Sequence, residues 1–209
     1  MNTVDLLFPV VGRRIATDHH YALYSALSHL LPCLHDGSLE YSLAPIPGVY
    51  IGQGFLACDP THSQLRLRLR AGDIPRVLPL AGKSLAIMGQ RLCLGVPRVR
   101  VLEAAPVLFS RVVTFKNATQ AETFLAVARR ELDLLGIGGE LSIPEHWDKK
   151  PERGPYRRVL RIKETRIVCF PLLVRGLRPE ESLKLQETGL GGRRHMGAGL
   201  FVPARSEGE

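Results

Sequence analysis

Patterns of apolar residues predict the same order of secondary-structure elements twice along the chain, and this repetition is the feature that most limits its fold. In each half the predicted order is strand, helix, strand, strand, helix and strand. The segments of the first half are Val4 to Val11, Asp18 to Leu31, Leu39 to Ile46, Gln64 to Arg70, Asp73 to Leu80, and a hairpin of Ser84 to Met88 with Arg91 to Val96. Gln64 to Arg70 alternates leucine and arginine strictly, which is typical of a strand with one buried face and one basic face.

The second half contains the longest helical pattern of the chain, Thr119 to Leu135. The other predicted segments are strands at Val107 to Phe115 and Glu140 to Ile143, a proline-rich loop at Pro144 to Pro155, a hairpin of Tyr156 to Lys163 with Arg166 to Val174, a helix at Pro179 to Thr188, and a short strand ending at Pro203. Proline and two glutamates in the first turn of that last helix, and Gly189 after it, are typical of a helix start and a helix stop.

The repeated order is that of the split βαβ fold, so the sequence predicts an α+β protein with two tandem ferredoxin-like (RRM-like, βαββαβ) domains. We place the N-terminal domain at residues 1–103 and the C-terminal domain, which carries a glycine-rich loop, at residues 104–209. A single mixed α+β domain is the alternative.

The composition indicates which class of molecule the protein binds. The 209 residues carry a formal net charge of +8, which favours a polyanion, nucleic acid before membrane. The alternative is a basic soluble protein without such a partner. We expect no membrane contact and a cytosolic location, since no apolar run approaches the roughly 18 residues of a membrane span and no signal-peptide pattern is present. The four cysteines have no paired spacing, so we expect neither disulfides nor a metal site.

A glycine-rich stretch near the C-terminus has the composition of a phosphate-binding loop. Five of the eleven residues from Gly189 to Gly199 are glycine, and three consecutive residues between them are basic or titratable. Glycines allow close backbone approach, exposed N–H groups bind anions, and arginine forks match phosphate geometry. The predicted contacts to phosphate are Gly189, Gly191, Gly192, Arg193, Arg194, His195, Gly197 and Gly199. The alternative is a flexible surface loop.

Two further basic sets lie on predicted strands. The first is the arginine face of Gln64 to Arg70, namely Arg66, Arg68 and Arg70, which is a candidate track for a nucleic-acid backbone. The second is Arg157, Arg158, Arg161 and Lys163 in the hairpin of the second half. For the first set, a solvated edge face is the alternative.

Four segments resemble one protein family. They are DLLFPVVGRRI at residues 5–15, DHHYALYSALSHLLPCLH at 18–35, LPLAGKSLAIMGQRLCLGVP at 78–97 and SLKLQETGLGGRRHMGAGLFVP at 182–203. With the tandem fold, they resemble the CRISPR RNA-processing endoribonucleases of the Cas-six family, within the repeat-associated RAMP superfamily. The resemblance implies cleavage of CRISPR precursor RNA in a prokaryotic cytosol, with no metal or other cofactor. It also implies a 2′,3′-cyclic phosphate and a 5′-hydroxyl, and a mature crRNA retained within an interference (Cascade-like) complex.

The resemblance also implies a catalytic histidine on or just after the first helix, which leaves His19, His20, His29 and His35. Helical geometry places His29 on the solvent face, so we discount it. We take His19 as the leading candidate for the general base, followed by His35 and His20, because histidine titrates near neutral pH. Tyr21 and Tyr24 on the same helix are candidates to position the ribose or the scissile phosphate.

Two departures from the family pattern favour a second hypothesis. Some relatives carry histidine where this chain has Tyr24, and the lysine that some relatives use is missing, since no lysine occurs in the first 82 residues. The alternative to an enzyme is therefore a non-catalytic crRNA-binding subunit of a CRISPR ribonucleoprotein. A general structural RNA-binding protein is a more distant third hypothesis.

Overall fold

The computed structural model of the chain describes residues 2–59, 61–144 and 157–204. Its contacts divide into two units, one of Met1–Val101 with His195–Gly197 and the other of Leu102–Arg194 with Ala198–Glu209. The tripeptide His195–Gly197 thus groups with the first unit, although we had assigned it to the C-terminal domain. Apart from Pro144, the predicted proline-rich loop lies outside the described residues.

The first unit alternates strands with short helical segments. Its strands are β1 (Thr3–Val11), β2 (Arg14–Ala16), β3 (Tyr41–Ala44), β4 (Val49–Gly52), β5 (Phe55–Ala57), β6 (Gln64–Arg70), β7 (Ser84–Ile87), β8 (Gln90–Leu94) and β9 (Arg98–Val101). Its helices are α1 (His20–Leu30) and α2 (Ile74–Val77), with 3₁₀ turns at Pro32–Leu34, Ala71–Asp73 and Leu78–Leu80. The bounds of β6 agree with the prediction from leucine–arginine alternation.

The main sheet of this unit has the antiparallel order β3-β6-β1-β9. The helix α1 lies between β1 and β3 in sequence, and α2 lies between β6 and β9. This is the strand order of a βαββαβ unit in which the first and third strands are neighbours. Two insertions elaborate it: the β4–β5 pair joins β2 in a separate three-stranded sheet, and the β7–β8 hairpin pairs with the end of β1.

The core of the first unit follows from the periods of its elements. Leu23 and Leu27, one helical turn apart on α1, are buried with Leu6, Phe8 and Leu67 of the central strands. Burying a side chain of this size stabilises a fold by about 1.5–3 kcal/mol. The alternating leucines of β6 all face this core, as its sequence predicts.

The opposite face of β6 is not the open basic surface that the sequence predicts. Arg68 is only 3% exposed and donates from Nε and a terminal nitrogen to the Asp5 carboxylate, at 2.7 and 3.0 Å. Arg66 lies 3.3 Å from the same carboxylate, and Arg70 is the exposed member, paired with Glu40. The pattern identified the face correctly, but Asp5 is 63 residues from Arg68 in sequence, so the pairing left no local signal.

The second unit repeats the same order with longer helices. Its strands are β10 (Val107–Val113), β11 (Glu140–Ser142), β12 (Arg158–Ile162), β13 (Thr165–Arg175) and β14 (Val202–Pro203), and its helices are α3 (Ala121–Leu134) and α4 (Pro179–Thr188). The sheet has the antiparallel order β11-β13-β10-β14, with β12 as an additional partner of β13. The prediction of an α+β protein with tandem ferredoxin-like folds is therefore confirmed. No helix in the described ranges is both long and apolar enough to span a membrane.

A carboxylate fixes the start of α4 in the second unit. Glu181 accepts hydrogen bonds from the Arg178 backbone and side chain and from the N–H of Gly138, at 2.9 to 3.0 Å. The hydrogen bond from the Arg178 side chain, followed by those from the two backbone N–H groups, lowers the pKa of Glu181 from 4.5 to about 2. Glu181 thus caps α4 and ties it to the segment before β11.

We predict that Glu181→Gln destabilises the protein and removes part of its pH dependence. Because the folded-state pKa is depressed, ionised Glu181 contributes stability above about pH 4.5, and this contribution is lost as the pH falls towards 2. Denaturant unfolding from pH 7 to pH 2.5 should show a lower midpoint for the variant at pH 7 and converging midpoints in acid. The control is Glu180→Gln, whose side chain is 67% exposed. Equal midpoints for wild type and Glu181→Gln at pH 7 would contradict this role.

Candidate active site

The helix α1 presents a buried edge and an aromatic edge. Leu23 and Leu27 face the core, while Tyr21 and Tyr24 are half-buried with ring centroids 6.3 Å apart. The helix stops at Leu30 because Pro32 disfavours helical geometry at the residue before it, and Leu31 is extended. At the other end, the N-cap residue is His19, and no side-chain hydrogen bond caps the helix.

His19 is buried and hydrogen-bonded within the fold, which corrects the prediction that it is the leading candidate for the general base. The side chain is 1% exposed. Nδ1 lies 2.7 Å from the Ala16 carbonyl oxygen and donates to it, and Nε2 accepts the N–H of Ile46 at 2.9 Å. Since both ring nitrogens serve buried backbone groups, neither can take a proton from a substrate hydroxyl without breaking these bonds.

His35 has the exposure and the partner that a reactive histidine needs. It is exposed at the C-cap of the 3₁₀ turn Pro32–Leu34, and its Nδ1 lies 2.7 Å from the Tyr24 hydroxyl. This bond fixes the ring and leaves Nε2 as the nitrogen that would face a substrate. Tyr24, which the family resemblance marked as a departure, is therefore the partner of His35.

Buried residues on both sides anchor the segment that carries His35. Leu34 and Leu39 are each 2% exposed, and the Tyr41 hydroxyl donates to the Leu34 carbonyl oxygen at 2.9 Å. Burial raises the pKa of Tyr41 well above its ordinary value, which keeps the hydroxyl protonated as a donor. Tyr41 was missed by sequence reasoning, because nothing in its strand pattern indicates a contact with the turn.

Two other candidate histidines lie in the same unit. His20 Nδ1 is 3.2 Å from the carbonyl oxygen of Met196, and the His195 ring stacks on Tyr41 at a centroid distance of 4.4 Å and an angle of 9°. Gly197 lies close to His20: an added Cβ would be 2.8 Å from the His20 Nδ1 atom. The tripeptide His195–Gly197 is thus packed around His20 and Tyr41, and Gly197 is required there by space.

In the second unit, the glycines of the predicted phosphate loop allow the backbone to fold on itself. Leu190 N–H donates to Gly199 O, Gly199 N–H to Val112 O and Gly192 N–H to Thr114 O. An added Cβ on Gly189, Gly191 or Gly199 would lie 2.3–2.6 Å from a backbone oxygen. These N–H groups are already used within the protein, so the expectation that successive free amides form an anion site is wrong for them.

The two loop arginines have different environments. Arg193 is exposed and has a positive φ of 63°, which is unusual for a residue other than glycine. Arg194 is half-buried and donates to the carbonyl oxygen of Thr188 at the end of α4. A cation at that end complements the helix dipole and an unpaired carbonyl. Arg194 therefore stabilises the loop, and Arg193 is the arginine that faces solvent.

The hairpin β12–β13 carries the second basic set. Arg157, Arg161 and Lys163 are exposed, whereas Arg158 is half-buried. Arg161 lies directly opposite Arg166, which is also exposed. The exposed cations form a basic surface on this hairpin.

The histidine, cysteine, aspartate and glutamate side chains of the described ranges form no group of three or more that could hold a metal ion. Among the described candidates, the arrangement suited to chemistry on an exposed substrate is the Tyr24–His35 pair. In this pair the His35 imidazole, which can accept or donate a proton, is hydrogen-bonded to the Tyr24 hydroxyl. An imidazole held in this way can act as a general acid or base.

Sequence comparisons relate the chain to one family over nearly its whole length. The family model described as Cas6 Crispr matches residues 4–206. The CRISPR-associated endonuclease Cas6 of Myxococcus xanthus (strain DK1622) is 41% identical over 207 residues, covering 96% of this chain and 81% of that protein.

Solved structures agree in fold. A protein described as the product of a Cas6-related gene from Pyrococcus furiosus superposes with a TM-score of 0.66 at 12% identity, over 99% of this chain and 100% of that one. A RAMP protein described as binding different RNA substrates gives a TM-score of 0.64 at 12% identity, over 98% and 100%. At such identities the likeness shows the fold alone.

We predict that His19→Ala acts on stability. The substitution leaves the buried Ala16 carbonyl and Ile46 N–H without their partner, and each such loss typically costs about 1–3 kcal/mol. Thermal unfolding should show a clearly lower midpoint than wild type. His29→Ala is the matched control, since His29 is exposed and its Nδ1 bonds the Ser25 carbonyl oxygen of its own helix. An unchanged midpoint for His19→Ala would show that its ring does not hold this part of the fold.

Proposed function

Because the chain belongs to the Cas6 family, we propose that it is an endoribonuclease that binds CRISPR repeat RNA and cleaves the precursor to mature crRNA. The Myxococcus xanthus relative that shares 41% of its residues is named an endonuclease. The observation that carries the proposal to a particular site is the 2.7 Å hydrogen bond between Tyr24 and the exposed His35.

In the proposed reaction, His35 acts on the ribose 2′-hydroxyl beside the scissile phosphate. When Nδ1–H donates to the Tyr24 oxygen, Nε2 carries the lone pair and takes the 2′-hydroxyl proton. The 2′-oxygen then attacks phosphorus, and the bond to the 5′-oxygen breaks. The imidazolium returns its proton to that oxygen, so that the products are a 2′,3′-cyclic phosphate and a 5′-hydroxyl.

Tyr24 holds the tautomer and orientation of the His35 ring, and Tyr21 lies beside it to contact the ribose or the phosphate. All atoms and protons of this scheme come from the RNA and from His35. The proposed enzyme is therefore independent of metal ions, and a chelator should leave it active.

For RNA binding, we propose that exposed cations of the second unit contact phosphates. Arg193 supplies an exposed guanidinium from a strained backbone position, and the hairpin supplies Arg161, Lys163 and Arg166. The net charge of +8 supports this partner class. We further propose that the cleaved RNA stays bound and is passed to other subunits of an interference complex.

We predict that His35→Ala lowers the rate of cleavage of repeat RNA by about 10² to 10⁴, because a general base is removed. RNA affinity should change little, and Tyr24→Phe should give a smaller loss of rate because the ring loses its orienting partner. The measurement is single-turnover cleavage of end-labelled repeat RNA in EDTA, with analysis of the new ends.

Two controls make that experiment decisive. A 2′-deoxy nucleotide at the cut site should abolish cleavage, and His29→Ala should cleave at the wild-type rate. Full activity of His35→Ala would exclude the proposed site. Binding of repeat RNA without cleavage by the wild-type protein would favour the non-catalytic crRNA-binding subunit instead.

A second experiment should show different roles for Arg193 and Arg194. Arg193→Ala should weaken repeat-RNA binding and reduce the slope of log K against log salt by roughly one unit, as expected for one lost phosphate contact. Arg194→Ala should lower the unfolding midpoint, since it removes the cation at the end of α4. Affinity measured across a salt series, with thermal unfolding of both variants, tests this division. A parental slope for Arg193→Ala would refute the phosphate contact.

A further inference from the structure

The turn that follows His35 is closed by its own side chains. The backbone N–H of Ser38 donates to Asp36 Oδ1 at 2.8 Å, and Gly37 between them has a positive φ of 80°. Hydrogen bonds from the Ser38 side chain and backbone, together with the charge of Arg76, lower the pKa of Asp36. Asp36 is therefore an ionised acceptor that shapes the turn at neutral pH.

An arginine of the same unit that is distant in sequence forms two hydrogen bonds to this turn. One terminal nitrogen of Arg76 donates to the Ser38 carbonyl oxygen and the other to the Ser38 Oγ, both at 2.7 Å. The two bonds span 38 residues of sequence. They use the planar fork of the guanidinium, which a lysine ammonium cannot reproduce.

The backbone that carries Arg76 is itself fixed. Val77 in α2 and Leu80 just after it are fully buried in the core of the first unit. Asp73 Oδ1 lies 3.4 Å from the Arg76 guanidinium and helps to orient it. Arg76 thus connects helix α2 to Ser38 of the exposed turn, three residues after His35.

We propose that Arg76 is a positioning residue for His35: it holds the 36–38 turn so that the imidazole is presented to the RNA in one orientation. A misplacement of about 1 Å in a reacting group can cost roughly 10²-fold in rate, so a turn at the surface needs such support. Asp36 and Asp73 face the guanidinium. Its charge is therefore largely balanced within the protein, which favours positioning over phosphate binding.

The inference rests on the proposed function and makes a distinct prediction. Arg76→Ala should lower the single-turnover cleavage rate about ten-fold or more, while affinity for 2′-deoxy repeat RNA stays within about two-fold of wild type. Ser38→Ala, which removes one of the two acceptors, should give a smaller loss. Arg76→Lys should recover only part of the rate. Arg91→Ala is the control for loss of an exposed arginine in the same unit.

A double-mutant cycle shows whether Arg76 acts through His35. If it does, Arg76→Ala should cost little further rate in the His35→Ala background, because coupled residues are non-additive. A multiplicative loss, an unchanged rate for Arg76→Ala, or an equal loss of RNA affinity would each overturn the inference. The proposed function has separate tests: the enzyme proposal fails if the wild-type protein does not cleave repeat RNA, and the proposed site fails if His35→Ala leaves cleavage intact.

Discussion

Two hydrogen bonds made by one buried imidazole set the geometry on which the candidate site depends. His19 donates to the carbonyl of Ala16 at the end of β2 and accepts from Ile46 just after β3, so it fixes the residue at which α1 begins. The start of a helix determines which residues share each of its faces. With Leu23 and Leu27 facing the core, Tyr24 reaches His35. The buried histidine thus supports the candidate site, and the exposed one is the residue that we propose reacts with the RNA.

The exposed turn that carries His35 combines solvent access with restraint. Leu34 and Leu39 bury the chain on both sides of it, Tyr41 holds the carbonyl before it, and Arg76 holds Ser38 after it. A reacting group gains from such preorganisation, because its orientation then costs little at the moment of reaction. The same logic applies to Arg193, whose strained backbone is held by a loop that uses its glycines for internal packing.

Local sequence patterns predicted the secondary-structure elements. Contacts between residues distant in sequence determine the roles of individual side chains. The alternation of β6 and the caps of α4 are properties of adjacent residues, so their bounds could be predicted from sequence. The burial of Arg68 depends on Asp5, 63 residues away, and the two backbone partners of His19 depend on how α1 meets the end of β3. No periodicity contains that information. Sequence reasoning therefore predicted the helix and a short set of candidate histidines, but it ranked the buried one first.

We propose that the Tyr24–His35 pair is the reaction centre. A structure of the protein bound to repeat RNA with a 2′-deoxy nucleotide at the cut site tests it most directly. The account predicts that a hydroxyl restored on that 2′-carbon would lie within hydrogen-bond reach of His35 Nε2, about 2.6–3.2 Å. A scissile phosphate bound next to His20, or at the hairpin β12–β13, with His35 remote from it, would contradict the account.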